Sequence, residues 1–336
     1  MKHLPKILVL TILICMLQSG LMAQVKKIAA IGITVSDMDR SVKFYTDVLG
    51  FKKISDEEVY GTEYEQLEGI FGLRMRVVNM QLGDEIIALT DYITSGGRSI
   101  PENAMSNDLI FQHIAIVVSN MEEAYKHLRT HMVMHVSTAP QTIPKDNIAA
   151  AGVKAFYFHD PDMHNLELIY FPKGKGQPKW QQTKGKLFLG IDHTAIGITN
   201  TDSSLKFYED LLGIARKGDS WNMGMEQAHL NFVEGASLHI TGLRSPVGPG
   251  IEFLEYLKPG AGKKYPSDTR ADDIWYWQTT LIVDDAAVIF LKLKDAGYSF
   301  VSKGIVDLQN KIGKCSRGFI VKDGDGHAMF LREEFK

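Results

Sequence analysis

Two histidines occupy equivalent places in two copies of a repeated strand, and their chemistry suits a metal ion. His113 lies in the stretch FQHIAIVV and His193 in IDHTAIGI, each two residues before an alanine. Successive side chains of a strand point to opposite faces, so each histidine shares a face with a small residue, Ala115 or Ala195. Imidazole is the commonest metal ligand in proteins. The matching pair therefore indicates a metal centre, although an isolated histidine on a strand is more often a core residue.

The strands that carry these histidines belong to a unit that occurs four times. Segments 28–51 and 191–214 match closely, each as an apolar strand, a turn with Asp and a helix ending in FY-x-D-x-LG. Weaker copies at 111–129 and 277–297 repeat the strand and the helix. Each large repeat is therefore two units of roughly 70–80 residues, and we predict an α+β fold of four βαβββ modules.

The domain boundaries are predicted from these repeats and from segments rich in Gly, Pro, Lys and Ser. The predicted ranges are 1–23 for a signal peptide, 26–172 for a first domain with modules 26–92 and 107–172, 173–187 for a linker, and 188–335 for a second domain with modules 188–258 and 273–335.

Helical spacing predicts core positions for one group of aromatic residues, and turn sequences hold a group of histidines. The aromatic residues are Phe44, Tyr45, Phe207 and Tyr208. Glycine ends a helix readily because it adopts the left-handed conformation, so Gly50 and Gly213 mark the helix ends. The turns HDPDMHN and KDGDGHA feed the closing strands, and we expect their histidines, His159, His164 and His327, only to decorate the turns.

Composition and charge favour a small-molecule partner. The chain has 336 residues, of which 45% are hydrophobic and 23% charged, which is enough for two domains with full cores. Its formal net charge of −3 and its lack of long basic runs give no electrostatic footprint for nucleic acid. The number of subunits is not readable from these features.

The first residues predict export. Lys2 and Lys6 precede an apolar run over 7–17, and small and polar residues follow up to Ala23. This run is short for a membrane span, so we expect a cleaved signal, a periplasmic or extracellular mature protein and no stable membrane insertion; the alternative is an uncleaved anchor. Removal of the signal would leave Cys315 without a partner for an internal disulfide.

The repeated pattern resembles the vicinal oxygen chelate superfamily, which includes glyoxalase I, methylmalonyl-CoA epimerase, extradiol dioxygenases, and fosfomycin and bleomycin resistance proteins. The resemblance covers nearly all of 26–335, through the FY-x-D-x-LG helices and the ending DPDMHNLEL. It implies that modules pair to form two cupped, mixed β-sheet barrels with helices outside. It also implies metal ligands on the first and last strands of each module.

Carried onto this sequence, the ligand positions hold an uneven set of residues. In module order they are Ile28 and Ala88, His113 and Glu167, His193 and Glu252, and Gln278 and Phe330. Only the two middle modules have metal-binding residue types at both positions. The resemblance therefore implies a ligand set of His113, Glu167, His193 and Glu252.

Two pairings of the modules remain open. If the first module pairs with the second and the third with the fourth, each cup holds half a site. The cup of the third and fourth modules would then have Gln278 as a third ligand beside His193 and Glu252. If the second module pairs with the third, as in known glyoxalase I proteins, all four ligands share one cup and the other cup is almost bare. We prefer the crossed pairing because four ligands leave two octahedral positions for substrate or water, whereas one His–Glu pair binds an ion weakly.

The ligand set and the resemblance imply an exported, glyoxalase-like lyase or isomerase. One divalent ion, which is Zn, Ni, Co, Mn or Fe, would chelate two neighbouring oxygens of a small substrate, and Glu252 or Glu167 would transfer a carbon-bound proton. An extradiol dioxygenase, with two His and one Glu around iron, is the runner-up. The third alternative is a binding or resistance protein without catalysis, which export favours because glutathione and coenzyme A thioesters are intracellular.

Other candidate residues have weaker support. His239 is predicted to contact substrate or to be a spare ligand, and a core role is equally open. Arg76, at the matching place of the first module, is predicted to hold an anion in the metal-poor cup. The tryptophans are expected either to floor a pocket or to pack in the core; they are Trp221, Trp275 and Trp277.

Overall fold

A computed structural model describes residues 24–183, 185–308 and 315–334. The predicted signal segment 1–23 and the side chain of Cys315 lie outside the described part. The strands are β1 Val25–Val35, β2 Lys52–Tyr60, β3 Arg74–Leu82, β4 Glu85–Tyr92, β5 Gln112–Val118, β6 Gln141–Thr142, β7 Lys154–His159, β8 Asn165–Tyr170, β9 Phe188–Ile198, β10 Ala215–Met223, β11 Ser237–Arg244, β12 Gly250–Lys258, β13 Trp277–Val283, β14 Val306–Asp307, β15 Cys315–Lys322 and β16 Ala328–Glu334.

Each module begins with a strand and a helix, and the first and third modules have a second helix after their second strand. The helices are α1 Met38–Asp47, α2 Thr62–Glu68, α3 Met121–Thr130, α4 Thr201–Leu205, α5 Gly224–Asn231 and α6 Ala286–Asp295, with a short 3₁₀ helix at Pro178–Gln181. After α4 the chain continues as a π-helix over Lys206–Leu211. Among the described residues, no helix has both the length and the apolar character that spanning a membrane requires.

The strands form two mixed eight-stranded sheets, and each sheet combines one module from each large repeat. Sheet A has the order β14-β15-β16-β13-β1-β4-β3-β2, and sheet B has the order β10-β11-β12-β9-β5-β8-β7-β6. Sheet A therefore joins the first and fourth modules, and sheet B joins the second and third. The predicted fold class and the crossed pairing are both confirmed.

The alternation of side chains separates a core face from a cavity face in each sheet. In β1, Ile31 packs in a core cluster with Tyr45 of α1, whereas Ala30 and Gly32 line a cavity of sheet A. The first helix of each module begins at a side-chain cap, such as Asp37, whose carboxylate accepts from the Arg40 amide at 3.0 Å. Small residues on the concave face therefore leave room for a site, as the sequence pattern predicts.

His164 and His327 are buried, which corrects the expectation that they only decorate the turns, and the third turn histidine, His159, is half-buried. His164 is 1% exposed, and its Nδ1 donates to Asp160 at 2.8 Å. Asp160 also accepts from the hydroxyl of Tyr45 at 3.2 Å, so a turn of the second module is tied to a helix of the first. His327, also 1% exposed, contacts Asp323 in the same way in the second large repeat. These histidines therefore hold modules together.

Candidate metal centre

Four adjacent central strands of sheet B carry the four predicted ligands. The strand order β12-β9-β5-β8 places Glu252, His193, His113 and Glu167 side by side. In the parallel strand pairs, His113 lies opposite Asn165 and His193 lies opposite Gly250. Glu167 comes two residues after Asn165, and Glu252 comes two residues after Gly250. A step of two residues returns to the same face. All four side chains therefore project from the concave face.

The side-chain tips converge on one point. Oε2 of Glu167 lies 3.1 Å from Nε2 of His113 and 3.5 Å from Nε2 of His193. Nε2 of His193 lies 3.3 Å from Oε2 of Glu252. The ligand atoms of His113, Glu167 and His193 all lie within 4.8 Å of one another. Glu252 extends this group from the side of His193.

A second layer of hydrogen bonds fixes His193. Its Nδ1 donates to Oδ2 of Asp192 at 3.1 Å, and the same oxygen accepts from Nη2 of Arg244 at 2.6 Å. Oδ1 of Asp192 accepts from the indole N–H of Trp180 at 2.6 Å. Nδ1 of His193 thus carries the proton, and Nε2 faces the cluster. In contrast, Nδ1 of His113 is buried without a hydrogen-bond partner among the described residues.

The pKa values of the two glutamates in the cluster shift in opposite directions. Burial favours a raised pKa for Glu167, but hydrogen bonds from His113 and His193 outweigh burial and lower that pKa. Burial raises the pKa of Glu252, and the negative charge of Glu167 adds to this effect. Burial alone would lower the pKa of His193, yet the carboxylates of Glu252, Asp192 and Glu167 raise it to about 10. The cluster therefore favours a positive charge at its centre.

These residues fit a divalent cation. Two imidazole nitrogens and two carboxylates are a donor set that suits Zn, Ni, Co, Mn or Fe. Three of the four side chains are almost fully buried, with exposed side-chain fractions of 1% for His113, 6% for Glu167 and 3% for His193. The Glu252 side chain is 31% exposed. An ion at this point would thus have an open side only toward Glu252.

That open side faces a cavity of about 370 Å³, a volume within the usual range of small-molecule sites. Its inner wall includes Glu167, His193, Glu252 and Tyr157. Tyr157 lies opposite Glu167 in the register of β7 and β8, and its ring packs on His113 with centroids 4.9 Å apart. Burial and the nearby Glu167 carboxylate raise the pKa of Tyr157 well above its ordinary value, so this hydroxyl stays protonated.

His239 does not line the cavity, which argues against the first of its two predicted roles, a substrate contact or spare ligand. The cavity face of β11 carries Ile240 and Gly242, and His239 projects from the opposite face. Its Nε2 donates to Asp219 at 2.8 Å, and its ring stacks on Trp221 at a centroid distance of 4.8 Å. These contacts favour the other open alternative, a histidine paired within the protein.

Gln278 and Arg76 both lie in sheet A, whereas the four ligands lie in sheet B. Gln278 lines a cavity of about 120 Å³, where its Oε1 accepts from the Tyr276 hydroxyl at 3.3 Å. Arg76 does not line that cavity; its guanidinium forms ion pairs with Asp56 and Asp39 at 2.8 Å. An anion at Arg76 would therefore have to displace two carboxylates.

The strand register of sheet A changes which residue of the first module corresponds to His193. Gly32 pairs with Ala88 as Ala195 pairs with Glu252, so the counterpart of His193 in the first module is Ala30 and not Ile28. Ile28 is buried in a core cluster on the other face. The conclusion is unchanged, because neither Ala30 nor Ala88 carries a side chain that can bind a metal ion.

The tryptophans divide between core and surface. Trp275 and Trp277 are 4% and 3% exposed, whereas Trp221 is 54% exposed.

Sequence reasoning missed Trp180, Asp192, Arg244 and Tyr157. Asp192 precedes a ligand histidine directly, and Tyr157 lies on the strand paired to that of Glu167. An argument from strand neighbours would have found these two, while Arg244 and Trp180 join the site only through the tertiary fold.

Comparisons with known proteins agree with this architecture. The model of the Glyoxalase/Bleomycin resistance protein/Dioxygenase superfamily matches residues 27–168 and 190–329. A lactoylglutathione lyase from Schizosaccharomyces pombe is 26% identical over 283 residues, which cover 81% of this chain and 86% of that protein. A 2-epi-5-epi-valiolone epimerase from an Actinomyces species is 29% identical over 163 residues, which cover 47% of this chain and 85% of that protein.

A solved structure shows the same fold over nearly the whole chain. Glyoxalase I from Zea mays superposes with a TM-score of 0.61 at 15% identity, and the match covers 91% of this chain and 92% of the maize chain. At this identity the likeness supports the fold alone.

Proposed function

This chain belongs to the Glyoxalase/Bleomycin resistance protein/Dioxygenase superfamily, and on that premise we propose that it is a metal-dependent enzyme of the lyase or isomerase type. The observation that carries the proposal is the convergence of His113, Glu167, His193 and Glu252 at the inner end of a cavity. When bound there, a divalent ion would polarise two neighbouring oxygens of a small substrate and make an adjacent carbon-bound proton more acidic.

The two glutamates have different roles in this proposal. Glu167 is buried and contacts both histidines, and its low pKa keeps it ionised, so it serves as a permanent ligand. Glu252 contacts His193 and reaches the cavity, and its raised pKa brings it nearer to the working range of a general base. Glu252 is therefore the residue that moves the proton, and Tyr157 holds a hydroxyl donor in the same cavity.

The named relatives support a reaction of this kind. One is an epimerase and another is a lyase, and each shares more than a quarter of its aligned residues with this chain.

Metal analysis combined with hydrogen exchange tests the proposal. The purified protein should hold one divalent ion per chain. The metal-loaded protein should exchange a carbon-bound hydrogen of an α-hydroxy ketone for deuterium from D₂O, which NMR follows. The metal-free protein and Glu252→Gln should not exchange it. A protein that holds no metal after growth with each candidate ion would instead indicate a binding protein.

One observation favours an extradiol-type dioxygenase as the second candidate. The three mutually close ligands His113, Glu167 and His193 form a two-histidine, one-carboxylate set, and Glu252 lies outside that group. Such a set with open positions is typical of non-haem Fe(II) oxygenases. Oxygen uptake with catechols by the Fe(II)-loaded protein, without hydrogen exchange in the ketone assay, would establish this candidate over the isomerase.

We also propose that the protein is exported. The charged start and apolar run of the first 23 residues support cleavage after Ala23. In that setting the substrate would be a molecule present outside the cytoplasm.

A further inference from the structure

One buried polar side chain on the cavity wall has no part in the proposed chemistry. Gln227 lies on α5 and lines the cavity beside the candidate metal centre as well as an adjoining cleft of about 430 Å³. It is 2% exposed, and its Oε1 has no hydrogen-bond partner in the part of the chain that the structure describes. Buried polar atoms nearly always have a partner. A ligand in the cavity would supply the missing one.

The junction of cavity and cleft at Gln227 has neutral polar groups, and the acidic residues that line it are Asp219 in both walls and Asp146 and Glu226 in the cleft. Ser220 and Asn222 line the same junction of cavity and cleft, and the Ser220 hydroxyl donates to Oδ1 of Asn222 at 2.6 Å. Leu230 and Leu254 supply apolar wall nearby. A ligand there meets neutral hydrogen-bonding groups beside apolar surface, which is the composition that recognises a hydroxyl on a compact carbon skeleton.

The positive charges of the cavity are mostly engaged by protein atoms. Arg244 donates to Asp192, and Nζ of Lys175 donates to the carbonyl oxygen of Ile148 at 2.8 Å. Lys217 also lines the cavity but is an exposed residue. Asp219 and Glu252 add negative charge to the wall. An acidic group near Gln227 would therefore lose its hydration without gaining a buried cation.

We propose that the cavity takes a neutral, hydroxyl-bearing substrate and that Gln227 binds this hydroxyl while the vicinal oxygens of the substrate face the four ligands. An amide offers both a donor and an acceptor, so a hydroxyl pairs with it in either orientation of the amide. The inference rests on the proposed function for the end of the cavity that holds the metal. Gln227 itself determines specificity at the other end.

The test uses the full-length Zn²⁺-loaded protein and three catechols that differ only in one ring substituent, which is methyl, hydroxyethyl or carboxymethyl. Calorimetry gives the affinity of each catechol for the unaltered protein and for Gln227→Met, which keeps the side-chain volume but removes the amide. The hydroxyethyl catechol should bind the unaltered protein more tightly than the carboxymethyl catechol. Gln227→Met should weaken the hydroxyethyl catechol about 3–10-fold and leave the methyl catechol within about twofold.

Two results would overturn the inference, and one control separates it from the metal proposal. Equal weakening of all three catechols by Gln227→Met would mean a structural role, and tightest binding of the carboxymethyl catechol would exclude a neutral substrate. A second variant, Gln227→Glu, should selectively weaken the carboxymethyl catechol. If Zn²⁺ does not strengthen any of the three, the metal site fails, while the effect of Gln227→Met on the hydroxyethyl catechol still tests Gln227.

Discussion

The imidazole ring centroids of His113 and His193 lie 5.9 Å apart, although the two residues belong to different large repeats. They meet because β5 and β9 pair antiparallel at the centre of sheet B, where His113 lies opposite Ala195 and His193 opposite Ala115. Pairing of the two modules within each large repeat would have placed the two histidines in separate sheets. The join between the second and third modules therefore creates the candidate site.

Removal of either histidine should abolish stoichiometric metal binding. His113→Ala or His193→Ala takes one of four ligands, and we expect affinity for Zn²⁺ to fall by more than about 100-fold, since loss of an outer-shell partner alone costs about 10–100-fold. Competition with a chromogenic chelator measures the change. His239→Ala is the matched control, because this histidine projects from the opposite face and should leave affinity within about twofold. Equal affinity in all three variants would discard the site.

The two glutamates should respond differently to conversion to glutamine. Glu252→Gln should retain the metal and lower turnover about 10²–10⁴-fold, because the proposed base is lost and the buried ligands remain. Glu167→Gln should lose metal as well, since Glu167 contacts both histidines. Metal content and hydrogen exchange are measured on the same samples. Full exchange activity in metal-loaded Glu252→Gln would remove this residue from the proposed proton transfer.

The ligand positions were predictable from the sequence because the strand signal is repeated and its parity is regular. His113 and His193 stand at the same place in two strands, and the resemblance added Glu167 and Glu252. Gln227 was not predictable, because it lies on a helix outside the repeated strand pattern. Its lack of a hydrogen-bond partner is visible only in the folded structure. The outward direction of His239 likewise depends on the register of β11 with β12, which residue types alone do not reveal.

Asp192 should tune metal affinity through His193. Its carboxylate accepts from Nδ1 of His193 and from Arg244, which holds the ring so that Nε2 faces the ligand cluster. Asp192→Asn should therefore weaken Zn²⁺ binding about 10–100-fold. The matched control is Trp180→Phe, which removes a hydrogen bond to the other carboxylate oxygen and leaves the one to His193. If both variants weaken binding equally, Asp192 acts through general packing and does not orient the imidazole.

Export makes a prediction about the mature N-terminus. A cleaved signal should leave a chain that begins near Gln24, because Ala23 ends a segment with a charged start and an apolar run. Intact mass of the protein recovered from the periplasm or medium measures this. Substitution of Ala23 by a bulky residue, Ala23→Phe, should slow processing. Recovery of the full-length chain in the membrane fraction would show that the segment is an anchor.

Glu68 should make stability fall as pH rises toward neutrality. The residue is 5% exposed beneath the 120 Å³ cavity of sheet A, and burial raises its pKa from 4.5 to about 7 in spite of hydrogen bonds from Tyr92 and Gln278. Below pH 4.5 the carboxyl is protonated in both folded and unfolded chains. Between that pH and about 7 only the folded chain keeps the proton, so the stabilising contribution is lost progressively and is absent above the folded pKa.

Glu68→Gln isolates this effect, because glutamine still accepts from the Tyr92 hydroxyl but does not ionise. The variant and the unaltered protein should have similar free energies of unfolding at acid pH, and the variant should be more stable at pH values above 7 by up to about 3 kcal/mol. Urea unfolding across the pH range measures the difference. Glu65→Gln on the same helix should change stability by less than about 0.5 kcal/mol at every pH. A constant difference between Glu68→Gln and the unaltered protein across the range would mean that folding does not shift the pKa of Glu68.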